Sequence, residues 1–272
     1  MLESQRHILI LDMLEEKGSI SLKNLVSGIG ASEATMRRDL IKLAERGRLV
    51  QVRGGAVSAR TKERLVRRQS LAGSAFLANM EREVDAKMAI AKAAVSLCND
   101  DDAIIINGGS TTFHMGTYLR DYALSVLTNS LALGVDLIEN TNNRVMFPAG
   151  EAYRKLSFIL NPLDDTVTDA FRASKYFLST SAVNHKEAME ADPMVAHAEQ
   201  RLAAQADEVI LLVDATKIGR NGHYAALHFD KIAKVITDDR IRQDQIAAFE
   251  SHGIDVLVVK ANARHDNAER SA

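Results

Sequence analysis

After the apolar run Ala103-Ile104-Ile105-Ile106 the chain reads Asn107-Gly108-Gly109-Ser110-Thr111-Thr112, a stretch whose residue types suit an anion. Two glycines let backbone approach a ligand, the free amides opening a following helix attract negative charge, and three hydroxyls add donors. Such a loop could hold a phosphate. It has neither the Walker nor the Gly-x-Gly-x-x-Gly spacing, so no nucleotide is implied. Two further apolar runs end similarly. Leu127 leads into Thr128-Asn129-Ser130, and Ile210-Leu211-Leu212-Val213 leads into Asp214-Ala215-Thr216-Lys217-Ile218-Gly219, where Lys217 supplies a cation. Each stretch alone is also an ordinary strand-to-helix turn with good capping residues. Three at equivalent ends point to one site.

A different chemistry sits near the start. Ser32 is a good N-cap, and the dozen residues after it favour a helix. Met36, Leu40, Leu43 and Ala44 form one stripe, and at about 100° per residue Arg38 points away from it. Thr35 and Lys42 flank Arg38, with Arg37 at the edge of the stripe. That face fits a DNA major groove, where arginine grips guanine and threonine meets a methyl group or a phosphate. A solvated basic helix has the same composition. Upstream, residues 8–16 are helical with Gly18 closing them, and Ser21 caps a short helix over 22–27 before Gly28 and Gly30 turn the chain. Helix, glycine turn, helix is a helix-turn-helix over about residues 20–40. Gly47, a strand over 49–53 and Gly54-Gly55 read as a wing that brings Arg53 to the DNA backbone.

These stretches need a scaffold. From Glu83 helices and short apolar strands alternate: a helix over 83–97, strands near 103–106, 124–127, 145–147, 176–178, 209–213, 235–237 and 256–259, and a helix over 113–119 after the first. The pattern predicts an α/β domain with a mainly parallel sheet, whose ligands gather at the carboxyl ends of the strands. The expected division is a DNA-binding domain over 1–57, a linker over 58–80, a ligand-sensing and oligomerising domain over 81–260, and a disordered tail over 261–272. Lys62, Arg64, Arg67 and Arg68 in the linker either touch phosphates or are simply solvated.

Charge follows this division. Residues 1–70 carry a net +6 and the remainder −8, so the near-neutral total of −2 hides a basic head on an acidic body. The head suits nucleic acid and the body does not. The single cysteine, Cys98, excludes an internal disulfide and falls in an apolar helical run, where a buried inert thiol is expected. The eight histidines, among them His114, His185, His197, His223 and His228, show no metal-ligand spacing. With no apolar run of membrane-spanning length, no membrane partner and a cytoplasmic location are expected.

The front of the chain resembles the DeoR family of bacterial transcriptional regulators. The residues that carry this are Gln5-Arg6, Gly18, the pattern Ser32-x-x-Thr35-x-Arg37-Arg38-Asp39-Leu40-x-x-Leu43, Gly47, and Arg53-Gly54-Gly55-Ala56. Lys87-x-x-Ile90-Ala91, Gly-Ser-Thr-Thr, Thr-Asn-Ser and Asp-x-x-Lys-x-Gly are similar, in this order, to the family's effector domain, so the likeness runs from about residue 3 to 259. Within the family, Ala198-Glu199-Gln200 and the Asp214–Gly219 run are most similar to repressors of ascorbate utilisation.

The resemblance implies sequence-specific operator binding with Thr35, Arg37 and Arg38 facing DNA, and the helix and wing pattern adds Ser32, Lys42 and Arg53 as candidate DNA contacts. The resemblance also implies an effector domain similar in fold to ribose-phosphate and glucosamine-phosphate isomerases. The implied effector is a phosphorylated sugar or sugar acid held by residues 107–112, 128–130 and Lys217, with release of DNA as the outcome. No cofactor, metal or catalytic residue is implied, and a homo-oligomer, dimer or tetramer, is. The chain departs from the pattern at Phe147-Pro148-Ala149-Gly150, at Asn161-Pro162 and at His197–Arg201, which makes Asp192, His197 and Glu199 candidates for selectivity or plain surface residues. Two other classes stay open. One is an active isomerase carrying a DNA-binding head, against which Leu178-Ser179-Thr180-Ser181 offers hydroxyls and no base. The other is an architectural DNA binder whose body only oligomerises.

Overall fold

Ser21 and Ser32 set where the two helices of the motif begin: the Ser21 hydroxyl accepts from the Asn24 amide and Ser32 from the Thr35 amide, each at 3.2 Å. The computed structural model of the chain describes residues 2–17, 19–52, 54–58, 75–161 and 168–261. Gly18, Arg53, the linker basic cluster, Pro162 and the tail beyond Ala261 lie outside the described residues. The chain divides into two units, Met1–Ala72 and Gly73–Ala272.

The first unit runs α1 (Glu3–Lys17), β1 (Ser19–Ser21), α2 (Leu22–Ile29), α3 (Glu33–Glu45), β2 (Leu49–Val52) and β3 (Gly55–Ser58). Its core is the predicted stripe, with Met36, Leu40 and Leu43 packed on Ile10, Leu25 and Leu49. The wing is more than the expected single strand. Antiparallel β3 lies between β2 and β1, the latter a three-residue strand too short to show a period. Helix α3 is also fastened to α1 by charge: Arg6 Nε donates to Asp39 at 2.7 Å and His7 lies 3.2 Å from the same carboxylate.

The second unit continues with α4 (Ala75–Met80), α5 (Val84–Val95), β4 (Ala103–Ile106), α6 (Ser110–Phe113), β5 (Ser125–Thr128), α7 (Leu131–Asn140), β6 (Arg144–Met146), β7 (Glu151–Tyr153) and β8 (Phe158–Leu160). Then follow β9 (Ala173–Leu178), β10 (Ala182–Val183), β11 (Glu187–Glu190), α8 (Pro193–Ala203), β12 (Ala206–Leu212), β13 (Tyr224–His228), β14 (Lys234–Asp238), α9 (Gln243–Glu250) and β15 (Asp255–Val259). Seven strands form one parallel sheet in the order β15-β14-β12-β9-β4-β5-β6. These are the seven that the sequence predicts, within three residues at each end.

The central strands carry apolar runs, Ile104–Ile106, Tyr176–Leu178 and Val209–Leu212, where both faces are covered. Ile105, Tyr176, Leu178, Val209 and Leu211 face one core, while Ile104, Ile106, Phe177, Ile210 and Leu212 face the other. Strand order reverses between β4 and β9: after β4 the chain moves outward to β6, then returns to build β9 and the other half. In open α/β sheets ligands gather beyond the carboxyl ends at such a reversal, here the ends of β4 and β9. The sequence does not announce the antiparallel sheet β10-β11-β13 or the hairpin β7-β8. Among the described residues no helix is long and apolar enough to cross a membrane.

Candidate functional site

Asn107 closes β4 and joins it to β9 and α8. It is fully buried, its Nδ2 donates to Ser179 O at 2.7 Å and to Glu199 Oε1 at 2.8 Å, and its Oδ1 accepts from the Ser179 amide at 2.9 Å. From β5, Asn129 Oδ1 accepts from the Gly108 amide at 2.7 Å. From the loop after β12, Lys217 Nζ donates to Thr180 O at 2.7 Å, one residue beyond Ser179. The ends of β4, β5, β9 and β12 are thereby joined in one hydrogen-bonded set, which brings together residues that the sequence separates by 110 positions.

Several of the predicted residues do other work than expected. The glycines are there for packing: a Cβ on Gly108 would lie 2.1 Å from the Phe158 ring, and one on Gly109 2.9 Å from Ser179 Cβ. The Gly108 amide is taken by Asn129, so it is not a free anion donor. Ser110, Thr111 and Thr112 open α6 themselves, three residues earlier than the expected helix start, and Thr112 Oγ1 donates back to Asn107 O at 2.9 Å. Thr128 Oγ1 accepts from the Ser130 amide, and Ser130 Oγ caps α7. Among the described residues three buried polar atoms here keep no hydrogen-bond partner: Thr111 Oγ1, Asn129 Nδ2 and Glu199 Oε2. Buried groups of that kind are uncommon and cost stability.

Lys217 is held in place by its loop. Asp214 Oδ1 accepts from the Thr216 amide at 3.2 Å, the Gly219 amide donates to Val183 O at 2.8 Å, and Gly219 adopts a φ of +85° that a side chain would strain. Burial lowers the Lys217 pKa, and the charges of Asp214, Glu190 and Glu199 oppose that. Burial likewise raises Glu199 well above the ordinary range, with the neighbouring charge of Glu190 adding to it. Glu190 is raised by burial, against a hydrogen bond from the Ser181 amide. The Ser179–Ser181 turn therefore does have carboxyl groups beside it, supplied by β11 and α8, where the sequence shows hydroxyls alone.

The three selectivity candidates separate. Glu199 is buried in the set, Asp192 caps α8 through the Met194 amide at 2.9 Å, and His197 is exposed. Beside Asn129 a cavity of about 40 Å³ is lined by Asn129, Ala198, Arg201 and Gln205. It is far smaller than the roughly 300 Å³ of a small-molecule pocket. A cleft of about 530 Å³ over α5, lined by Met88, Lys92, Tyr118 and Lys260 among others, shares no residue with the strand-end set.

In the first unit Ser32, Arg37, Arg38 and Lys42 are exposed on α3 and Thr35 is half-buried. Thr35 Oγ1 is bonded to Ser32 Oγ at 2.8 Å, Arg37 pairs with Glu33 at 2.6 Å, and Lys42 pairs with Glu3 at 2.8 Å. Exposed pairs of this kind are weak enough to exchange for phosphate. Among the described residues one group, Glu3, His7 and Asp39, has its ligand atoms within 4.8 Å of one another, but Arg6 already bonds both oxygens of Asp39.

Residues 6–62 match the model of the DeoR-like helix-turn-helix domain, and residues 82–239 match that of the DeoR C terminal sensor domain. The chain belongs to the DeoR family. It is a DNA-binding transcriptional regulator, a winged helix-turn-helix followed by an α/β sensor. It is 30% identical over 259 residues to the HTH-type transcriptional regulator UlaR of Salmonella newport, a span covering 95% of this chain and 100% of that one. The UlaR of Salmonella dublin matches with the same figures. Among solved structures it is similar to ribose 5-phosphate isomerase A from Methanocaldococcus jannaschii, at 18% identity and a TM-score of 0.36, over 48% of this chain and 53% of that one. It is also similar to translation initiation factor eIF-2B of Pyrococcus horikoshii, at 13% identity and a TM-score of 0.39, over 86% of each.

Ser179 and Thr180 stand in the sequence only as hydroxyls without a base, and the backbone atoms they offer to Asn107 and Lys217 escape sequence reasoning. Lys87, named in the sequence only as part of the Lys87-x-x-Ile90-Ala91 likeness, is 2% exposed on α5, and a signal of that burial was present. It shares the three-and-four spacing of Ile90, Ala91 and Ala94, which places a lysine on the buried stripe.

Proposed function

We propose that this regulator is a repressor of a carbohydrate-catabolism operon, released from its operator when a phosphorylated sugar or sugar acid binds at the ends of β4, β5 and β12. One observation carries the reading. The Lys217 ammonium and the Asn107 side chain that opens the Asn107–Thr112 turn both bond to the Ser179–Thr180 backbone, at the strand ends where strand order reverses. The buried, unpartnered Thr111 hydroxyl and Asn129 amide are polar groups that a ligand would complete. On the DNA side Arg38 and its neighbours on α3 read bases, and Arg53 meets the backbone. Residues 1–57 act as the reader, 58–80 as the linker and 81–260 as the sensor. A single helix reads too few bases for genomic specificity, so heads work in pairs and the sensor self-associates as a dimer or tetramer in the cytoplasm.

The sensor is taken to be non-catalytic. Glu199 is the carboxyl best placed for proton transfer, but it is fully buried with one oxygen held by Asn107. An aldose–ketose turnover assay with the sugar phosphates below tests that directly.

The regulatory reading is tested with full-length protein and the promoter DNA next to its gene, by fluorescence anisotropy against a panel of sugar phosphates and their unphosphorylated forms. The wild type releases DNA with at least one phosphorylated compound. Lys217→Ala binds DNA normally and fails to release it. A Lys217→Ala protein that stays fully inducible places the effector elsewhere.

A further inference from the structure

Lys87 sits on α5 with 2% of its surface exposed, and among the described residues its ammonium makes one hydrogen bond, to the carbonyl oxygen of Asn79 on α4. A buried cation held by a carbonyl dipole alone is costly, because a carbonyl replaces only part of the lost hydration. Asp214 and Glu83 act on it through space, and so does the like charge of Lys217, so the two lysines lie within each other's field. Burial together with these charges brings Lys87 down to about 8. On α6 and just beyond it, two polar groups lack partners among the described residues: the buried Thr111 hydroxyl and, one turn on, His114 Nε2, which also feels Lys87. Helix α5 packs against α6 and the turn that follows it, which carry these two groups, and among the described residues each ammonium is bonded only to a carbonyl oxygen, an arrangement that a doubly charged anion would complete.

We propose that Lys87 is a second effector-binding cation, joining Lys217 on a phosphate monoester dianion and leaving the Asn79 carbonyl to do so. This rests on Lys217 belonging to the effector site. It narrows the ligand class, because two lysines match a dianionic phosphate better than the single charge of an unphosphorylated sugar acid. It also gives the site an outlet. Helix α4 is the first described element of the second unit and forms the end of the expected linker, and it is held to α5 through Lys87 and to α6 by the Phe76 ring, edge-on to Phe113 at 5.7 Å. Loss of the Lys87 tether frees one of these two anchors.

The test uses the full chain and inorganic phosphate, with chloride at equal ionic strength as the control. Thermal denaturation of the wild type shifts upward with phosphate. Lys87→Met and Lys217→Met each raise the half-saturating phosphate concentration by about tenfold or more, while Lys87→Arg retains part of the response. Hydrogen exchange of the α4 amides speeds up with phosphate in the wild type and in Lys87→Arg. It does not do so in Lys87→Met. A Lys87→Met protein with the full wild-type response, beside a Lys217→Met protein that has lost it, overturns the role of Lys87 and leaves the Lys217 site standing. No phosphate response in the wild type, or an undiminished one in both variants, overturns both. Should Lys87→Met fail to fold, the wild-type and Lys87→Arg exchange data decide: unchanged α4 exchange on phosphate addition overturns the proposal.

Discussion

Glu199 is a single residue whose burial makes a measurable claim. Its carboxyl pKa is raised well above 4.5, chiefly by burial, so the folded state favours the neutral form. The stability it contributes is complete below the unfolded value, near 4.5, and is lost as pH rises toward the folded one. Glu199→Gln keeps an oxygen for Asn107 and removes the charge. It should raise the melting temperature at pH 8 by about 2–4 °C for each kcal/mol gained, with the gain vanishing near pH 4. A lower melting temperature at pH 8 would contradict the assignment. From the sequence, Glu199, His197 and Asp192 are equivalent polar residues around α8. Burial separates them: Glu199 shares the three-and-four spacing of Val195, Ala196 and Leu202 on the buried face of α8, which packs chiefly on β13, while His197 points to solvent.

Among elements, the pairing of α1 with α3 shows what holds the reading helix at its angle. Burial works against ionised Asp39, but hydrogen bonds from Arg6 and His7, and their charge, outweigh it and keep the carboxyl below its ordinary 3.8. The stability from this pair is present above the unfolded pKa and lost as pH falls through the folded one. Arg6→Ala should therefore melt the head at a lower temperature at pH 7, with the deficit closing in acid once Asp39 is protonated. Differential scanning calorimetry across pH checks this, and a deficit that persists below about pH 3 would point to lost packing instead. The helices of the motif, α5 and the parallel strands were legible because each carries its own period or cap, whereas α4 lies inside the expected linker. Strands β10, β11 and β13 were not. They are short, mix polar with apolar residues, and exist as a sheet only because the chain brings them into register with one another.

For the whole molecule, a basic reader and an acidic sensor divide the labour, so changes to one should leave the other's ligand alone. Arg38→Ala should cost about 1–3 kcal/mol of specific operator affinity, and the phosphate response of the sensor should remain as in the wild type. Anisotropy titrations at several salt concentrations, run beside the thermal assay, measure both. Should Arg38→Ala bind operator with unchanged affinity and salt dependence, α3 does not read DNA through that residue.

The sequence alone determined the two modules, the capped reading helix with Arg38 on its outer face, the seven parallel strands and the three polar turns at their ends. All of these depend on neighbours within a turn of helix or a run of strand. Only the tertiary structure decided that the Gly108 amide is spoken for, that Glu190 and Glu199 stand beside Lys217, and that Lys87 is buried with a carbonyl for company. Those facts depend on strand order and on which side chains lose water together, and residues far apart along the chain set them.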